Sequence, residues 1–179
     1  EEKELLDYFK DQKYDRVIVR SSASSEDGDK CSFAGQFDPY TNTTIDSLAF
    51  NIKRCWASMF EDNVEVYMRE NELENDFSFD ILIQEMITSD LSGIAFSINP
   101  TNGKEEMLVD ITDSQCEELV SGKVNPRSYR MGDVSNKDMI NGDKLAIVED
   151  NLKKLKSIFK KEVEIEFGFK EDEFYLFQV

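Results

Sequence analysis

The strongest structural constraint in this sequence is a strict alternation of residue types near its end. The odd positions from Val163 to Phe169 are apolar, while positions 162, 164 and 166 are all glutamate. A period of two is typical of a β-strand with one buried face, so we predict a strand here. A second apolar run, Phe174–Val179, follows after Glu171–Glu173. We therefore predict a terminal β-hairpin with a three-residue turn.

The predicted register has a chemical consequence. A three-residue turn pairs Lys170 with Phe174 and places Glu166 directly opposite Gln178, with both side chains on one face. The apolar residues of the last strand would then face the core: Tyr175, Phe177 and Val179. Carboxylate and amide oxygens, with Glu164 nearby, are suitable ligands for a Mg²⁺ ion that carries phosphates. The alternative is a solvated acidic face on an edge hairpin.

The remaining periodic segments indicate a mixed α+β fold. Apolar residues recur at helical spacing over 45–60 and again over 148–159. Short apolar runs predict strands at 16–19, 79–87, 93–98 and 107–111. Because no regular βαβ rhythm links them, we predict mixed, largely antiparallel sheets flanked by helices. The 179 residues suffice for one domain, with a soft lobe boundary near residues 71–76, where polar residues cluster.

Composition excludes several classes of function. A net charge of −17 argues against a nucleic-acid partner, and no apolar run is long enough for a membrane span. Histidine is absent, which excludes a phosphohistidine or a histidine-ligated metal within these residues. The three cysteines form no CxxC pair, so we expect free thiols and a cytoplasmic location. The chain begins without methionine, and we expect it to be a piece of a longer protein.

Two segments have the composition of a nucleotide site. The strand end Val19–Ala23 and the small-residue stretch Ser32–Gln36 combine an arginine with hydroxyl groups and a glycine, which suits a polyphosphate. The segment Ile83–Met86 could contact an adenine with its backbone, with Ile83 and Met86 on either side of the ring. An ordinary surface loop and an ordinary core strand are the alternatives that these residues leave open.

Taken in chain order, these segments resemble one known family. The matching segments are Val19–Asp27, Ser32–Gln36, Cys55–Ser58, Tyr67–Arg69, Ile83–Met86, Ser92–Ser97, Pro100, Leu119–Gly122, Glu164–Phe167 and Leu176–Gln178. They resemble the ATP-grasp domain of phosphoenolpyruvate synthase, pyruvate phosphate dikinase and rifampin phosphotransferase. The resemblance implies a partial ATP-grasp domain over residues 1–179 that lacks its N-terminal part and binds ATP and Mg²⁺.

The resemblance also implies roles for particular residues. Arg20 matches the family's phosphate-binding arginine, Gly35 the glycine of its phosphate-covering loop, and Gln84 its adenine-side glutamine. At the metal and phosphates it places an acidic residue, a glutamine and a neighbouring carboxylate, which here are Glu166, Gln178 and Glu164. Arg20 and Glu166 are accordingly the expected catalytic residues, acting by positioning and charge neutralisation.

In the intact family, a phosphoryl group passes from ATP to a histidine on a swivelling domain, and then to pyruvate or another acceptor on a third domain. We expect this chain alone to be inactive and to bind Mg·ATP weakly, since the family's N-terminal lysine and its later arginine have no counterpart in it. Several internal positions also depart from the family pattern, among them Asp38–Tyr40, where proline replaces the threonine of Asp-Thr-Tyr. Ser114–Glu117 replaces Gly-Leu-Gly-Glu, and Arg127 replaces an aspartate. These changes keep open a non-catalytic nucleotide-binding or regulatory module.

Overall fold

The chain forms two compact units in the computed structural model, Glu1–Met86 and Ile87–Val179. The structure describes residues 2–12, 14–23, 37, 39–70, 78–130 and 142–179, and for Ala23 only the backbone. The predicted soft boundary at residues 71–76 lies outside the described ranges and stays a prediction. Each unit has its own sheet and its own apolar core.

The described part of the first unit combines three helices with a three-stranded sheet. Its elements are α1 (Glu2–Gln12), β1 (Val17–Ala23), β2 (Tyr40–Thr43), α2 (Ile45–Ser58), α3 (Asp62–Glu70) and β3 (Phe79–Glu85). The strand order is β2-β1-β3, and both pairings are antiparallel. Helix α2 buries Leu48, Ile52 and Cys55, which stand four and three residues apart and so share one helical face. They pack with Val17 and Val19 of the central strand.

The second unit is built on a five-stranded antiparallel sheet. Its elements are β4 (Leu91–Phe96), β5 (Leu108–Thr112), α4 (Cys116–Val120), β6 (Arg127–Arg130), α5 (Gly142–Phe159), β7 (Glu164–Lys170) and β8 (Glu173–Gln178). The strand order is β6-β5-β4-β7-β8. The two antiparallel sheets with flanking helices confirm the α+β prediction. Within the described residues, no helix has the length and apolar character that crossing a bilayer requires.

The alternation in β7 places one of its faces in the core. Ile165, Phe167 and Phe169 are fully buried, as the period of two predicts. Val148 and Leu152, one helical turn apart on α5, belong to the same cluster. Burying side chains of this size contributes about 1.5–3 kcal/mol each, so this face determines the register of the strand.

The hairpin turn is shorter than predicted. Lys170 pairs with Glu173, which leaves a two-residue turn at Glu171–Asp172 in place of the predicted three-residue connection. Glu171 adopts a φ of 56°, the left-handed conformation that two-residue hairpin turns need at their first position. Its N–H donates to the Asp90 carboxylate at 2.6 Å, and its carbonyl accepts from Lys144 Nζ at 2.9 Å. These two contacts stabilise the shorter turn.

A β-bulge restores the predicted pairing farther along the hairpin. Phe167 pairs with Leu176, and after an irregularity in the register Glu166 pairs with Gln178. The predicted apolar face of β8 is therefore wrong, because the shorter turn reverses the parity of the strand before the bulge. Phe174 instead packs in the core, with its ring centroid 5.9 Å from that of Phe167. The core does not include the three residues that the sequence predicted there: Tyr175, Phe177 and Val179.

Gly93 in β4 provides a test of this packing. A Cβ added there would lie 2.5 Å from the Asp110 carbonyl oxygen and 2.6 Å from Cζ of Phe167, so strand and core would both have to shift. We expect Gly93→Ala to lower the free energy of unfolding by about 1–3 kcal/mol, as overpacking does. The measurement is urea denaturation followed by circular dichroism.

Gly142→Ala is the matched control for this test. Gly142 begins α5, and an added Cβ there would meet no atom of the described residues within 4 Å. We expect this variant to be neutral or up to about 1 kcal/mol more stable, since alanine favours helix. Equal stabilities for the two variants would contradict the packing described for β4 and β7.

Candidate functional site

Arg20 and Gln84 lie on the same face of the first sheet. In the register of β1 and β3, Arg20 pairs with Leu82 and Ile18 pairs with Gln84. Side chains in such diagonal positions stand about 7–8 Å apart. Val19, the residue between Ile18 and Arg20, points into the core, so these four side chains face away from it. Both Arg20 and Gln84 are half-buried.

The apolar part of this face differs from the prediction. Ile83 pairs with Val19 and packs on the core side, so it cannot flank a ring placed beside Gln84. Ile18 and Leu82 share the face of Gln84 instead, and Leu82 is 49% exposed. Sequence reasoning missed these two residues, although the period of two across β1 and β3 was the signal that could have found them. The Met86 sulfur accepts the Asn42 N–H at 3.3 Å.

Gly35 cannot be assigned a place in this geometry. The stretch Ser32–Gln36, which was predicted to cover the phosphates, lies outside the described residues. Its proposed role therefore depends on the sequence alone. Arg20 belongs to the described part of that motif, and it lies in the middle of β1 rather than at the end of a strand as predicted.

In the second unit, Glu166 and Gln178 face each other across β7 and β8, as predicted. Glu166 stands between the buried Ile165 and Phe167, so both partners point away from α5. The same row continues across the sheet through Ile94 to Asp110. Glu164 stands one row away, opposite Phe96. Glu166 is half-buried and Gln178 is exposed.

The site is suited to a metal ion only when phosphates complete its coordination. Within the described ranges, the side chains of His, Cys, Asp and Glu nowhere form a group of three or more that could hold a metal ion. Mg²⁺ commonly binds through one or two carboxylates while substrate phosphates and water supply its other ligands. Glu166 with Gln178 fits that arrangement, whereas a metal site built from protein ligands alone does not fit.

The pKa values of Glu164 and Glu162, which are both close to Glu166 in the sequence, are shifted in opposite directions. Partial removal of water raises the pKa of Glu164 above its ordinary value. At Glu162, hydrogen bonds from Lys156 and from the Ser97 hydroxyl lower the pKa of the carboxyl. Glu162 therefore has the environment of a structural ion pair. Glu164 retains a carboxylate whose charge the folded protein disfavours, as is common at functional sites.

Cys116, which had no predicted role, lies beside the candidate site. It is the first residue of α4, and its thiol donates to the Gly93 carbonyl at 3.5 Å. Burial, together with the negative charge of Glu166, raises the pKa of the Cys116 thiol to about 12. The thiol is therefore neutral at physiological pH and adds no second negative charge next to Glu166. Cys116 and Cys55 are both buried cysteines.

Comparison with known proteins agrees with the resemblance seen in the motifs. The family model for the pyruvate phosphate dikinase AMP/ATP-binding domain matches residues 2–142. The chain belongs to this family. The match covers the face that carries Arg20 and Gln84, together with β4, β5 and the Cys116 segment.

Curated relatives of this family member are long phosphotransferases. The chain is 34% identical over 115 residues to a probable phosphoenolpyruvate synthase of Methanothermobacter thermautotrophicus, covering 63% of this chain and 17% of the relative. It is 36% identical over 129 residues to a rifampicin phosphotransferase of Bacillus cereus, covering 70% of this chain and 15% of that relative. A probable phosphoenolpyruvate synthase of Pyrococcus abyssi is 36% identical over 131 residues, and the match covers 71% of this chain and 16% of that relative. The matched part thus spans about one sixth of these relatives.

The opposite pKa shifts of Glu164 and Glu162 give a pH-dependent prediction. A raised folded-state pKa means that ionised Glu164 opposes folding, and that this penalty appears as the pH rises above the ordinary glutamate pKa. We therefore expect Glu164→Gln to raise the melting temperature at pH 7, and the gain to vanish near pH 4. Thermal unfolding at the two pH values measures it.

Glu162→Gln is the matched control, with the opposite sign. Its lowered pKa contributes stability above the ordinary glutamate pKa, and this contribution is lost as the pH falls through the folded-state value. We expect this variant to melt lower than the unsubstituted chain at pH 7 and to approach it in acid. Shifts of the same sign in both variants would contradict the environments assigned to the two carboxylates.

Proposed function

We propose that this chain is the ATP-binding portion of a phosphotransferase that resembles phosphoenolpyruvate synthase. The observation that carries the proposal is the direct pairing of Glu166 with Gln178 on the face opposite the core. In a member of an ATP-binding family, that pair offers oxygen ligands for the metal that accompanies a nucleotide. ATP and Mg²⁺ are thus the proposed cofactors.

Three residues are proposed to contact the nucleotide itself: Arg20, Gly35 and Gln84. Arg20 presents a planar guanidinium, which binds phosphate oxygens through two parallel hydrogen bonds, and Gly35 would lie in the loop that covers the phosphates. Gln84 carries a carboxamide that can both donate to and accept from an adenine edge. Ile18 and Leu82 on the same face offer apolar surface for the ring.

Side chains of the terminal hairpin would neutralise the negative charge of the phosphates through a bound metal ion. Glu166 and Gln178 would ligate Mg²⁺, with Glu164 as a neighbouring carboxylate. When bound, the metal neutralises charge on the phosphates and orients them for transfer. Phosphoryl transfer requires mainly positioning and electrostatic stabilisation from a protein, and Arg20 and Glu166 are the residues we assign to it.

The phosphoryl group would pass to a histidine outside this sequence, which contains none. We propose that this histidine lies on a swivelling domain of the same cytoplasmic protein and that a further domain binds the acceptor. Pyruvate is the proposed default acceptor, by similarity to relatives named phosphoenolpyruvate synthase. The chain alone would not complete the reaction, because both of those domains are needed.

A non-catalytic nucleotide-binding or regulatory module is the second candidate. The observation that favours it is the altered segment Ser114–Glu117, together with Arg127. A module of this kind would bind the nucleotide without passing on its phosphoryl group. Incubating the full-length protein with ATP labelled at its β- and γ-phosphates separates the two proposals. An acid-labile phosphohistidine supports the enzyme, and nucleotide binding without it supports the module.

Glu166→Gln tests the metal assignment. The variant keeps the size of the side chain but removes its charge, so we expect the Mg²⁺ dependence of ATP binding to weaken while metal-free ATP binds nearly as before. Titration calorimetry of the full-length protein with and without Mg²⁺ measures the difference. Glu118→Gln, on the exposed side of α4, is the control and should leave both affinities unchanged. Equal losses with and without Mg²⁺ would contradict the assignment.

Arg20→Lys tests the phosphate contact. Lysine keeps the charge but loses the two-pronged hydrogen bond, which is worth about 1.5–3 kcal/mol, so we expect turnover to fall at least tenfold. The steady-state rate of the full-length protein measures the effect. Arg69→Lys is the control, because Arg69 pairs with Glu65 on the surface of α3. Near-normal turnover in Arg20→Lys would refute the phosphate-binding role.

A further inference from the structure

The connection between β5 and α4 is tightly held. We call residues Asp113–Gln115 the anchor loop. At its start, the Ser114 N–H donates to the Thr112 hydroxyl at 3.1 Å. At its end, the Gln115 side-chain amide donates to the Ser89 carbonyl at 3.2 Å. The loop is thus fixed to the strand before it and to the residues that lead into β4.

The third contact of the anchor loop comes from the edge strand. Arg127 in β6 donates to both carboxylate oxygens of Asp113, at 2.8 and 2.7 Å. A two-pronged arrangement of this kind constrains orientation as well as distance. The side chains of Arg127 and Asp113 are 39% and 70% exposed, and pairs this exposed add little to global stability. The consequence of the pair is therefore expected to be local.

The anchor loop places Cys116 against the candidate site. Cys116 follows the loop directly, and its thiol contacts the Gly93 carbonyl. Gly93 precedes Ile94, which is the register neighbour of Glu166. Cys116 therefore lies against the backbone of β4, next to the residue whose register partner is Glu166. A shift of the loop would move Cys116 relative to Glu166.

We infer that Arg127 is a positioning residue of the proposed ATP site. Arg127 pairs with Asp113 and so holds the anchor loop in place. The loop in turn keeps Cys116 packed beside Glu166, which keeps the Glu166 carboxylate directed toward Gln178. This inference rests on the proposed function, since the group that is positioned is the proposed metal ligand. Arg127 itself touches neither nucleotide nor metal in this scheme.

Alkylation of Cys116 by iodoacetamide reports the position of the loop directly. A buried thiol reacts only when its surroundings open locally, so its rate measures that opening. In the full-length protein with Arg127→Gln, we expect Cys116 to react about tenfold faster, with a smaller change in Arg127→Lys. Peptide mass spectrometry resolves the cysteines, and Cys55, buried in the first unit, is the internal control.

The reversed pair is the matched rescue variant. Asp113→Arg combined with Arg127→Asp restores opposite charges across the same strands, so we expect Cys116 to regain protection. If Cys116 and Cys55 both react faster in Arg127→Gln, that variant has unfolded, and the test then depends on the reversed pair. Renewed protection of Cys116 supports the inference, and continued reactivity contradicts it. Unchanged alkylation in a folded Arg127→Gln protein also overturns it.

Nucleotide binding separates a positioning role from a merely structural one. We expect Arg127→Gln to weaken Mg·ATP binding about three- to tenfold, with the melting temperature nearly unchanged, and the reversed pair to recover the affinity. Faster alkylation with unaltered Mg·ATP affinity would show that the Arg127–Asp113 pair only holds the anchor loop, and it would overturn the inference. Failure of the unsubstituted full-length protein to bind Mg·ATP would instead overturn the proposed function. The alkylation result would still show whether the Arg127–Asp113 pair holds the anchor loop.

Discussion

The candidate site of the second unit depends on the burial of one face of β7. Ile165, Phe167 and Phe169 pack with α5, and each is completely removed from solvent. Because side chains alternate along a strand, this burial forces Glu164 and Glu166 onto the opposite face. A slip of one residue would place glutamates in the core, at a cost of several kcal/mol for each charge. The apolar core thereby determines which carboxylates are available to a ligand.

The parts of the site that the sequence predicted are those that follow from the alternation of side chains between the two faces of a strand. The strand, its buried face and the pairing of Glu166 with Gln178 all follow from a period of two combined with one-sided burial. The ordered motifs supplied the family. Parity also brings Arg20 and Gln84 to one face, and it puts Ile83 on the core side, contrary to the prediction that Ile83 flanks the ring.

The remaining features could not be read from local patterns. The pairing of Glu166 with Gln178 was predicted through a three-residue turn, whereas a two-residue turn and a bulge produce it, and neither has a signature in these residues. Strands β2 and β6 and helix α4 have four or five residues each, too few for a period to appear. Asp113 and Arg127 meet only because β5 and β6 are neighbours, so their pair is a product of the tertiary fold.

The central claim is that Glu166 and Gln178 together hold the metal that accompanies ATP. A crystal structure of the full-length protein with Mg²⁺ and a non-hydrolysable ATP analogue tests it most directly. The account predicts a metal ion about 2.1 Å from a Glu166 carboxylate oxygen, with the Gln178 carboxamide oxygen and phosphate oxygens in its coordination shell. A nucleotide-bound metal ligated by other residues, with Glu166 and Gln178 both turned to solvent, would contradict the account.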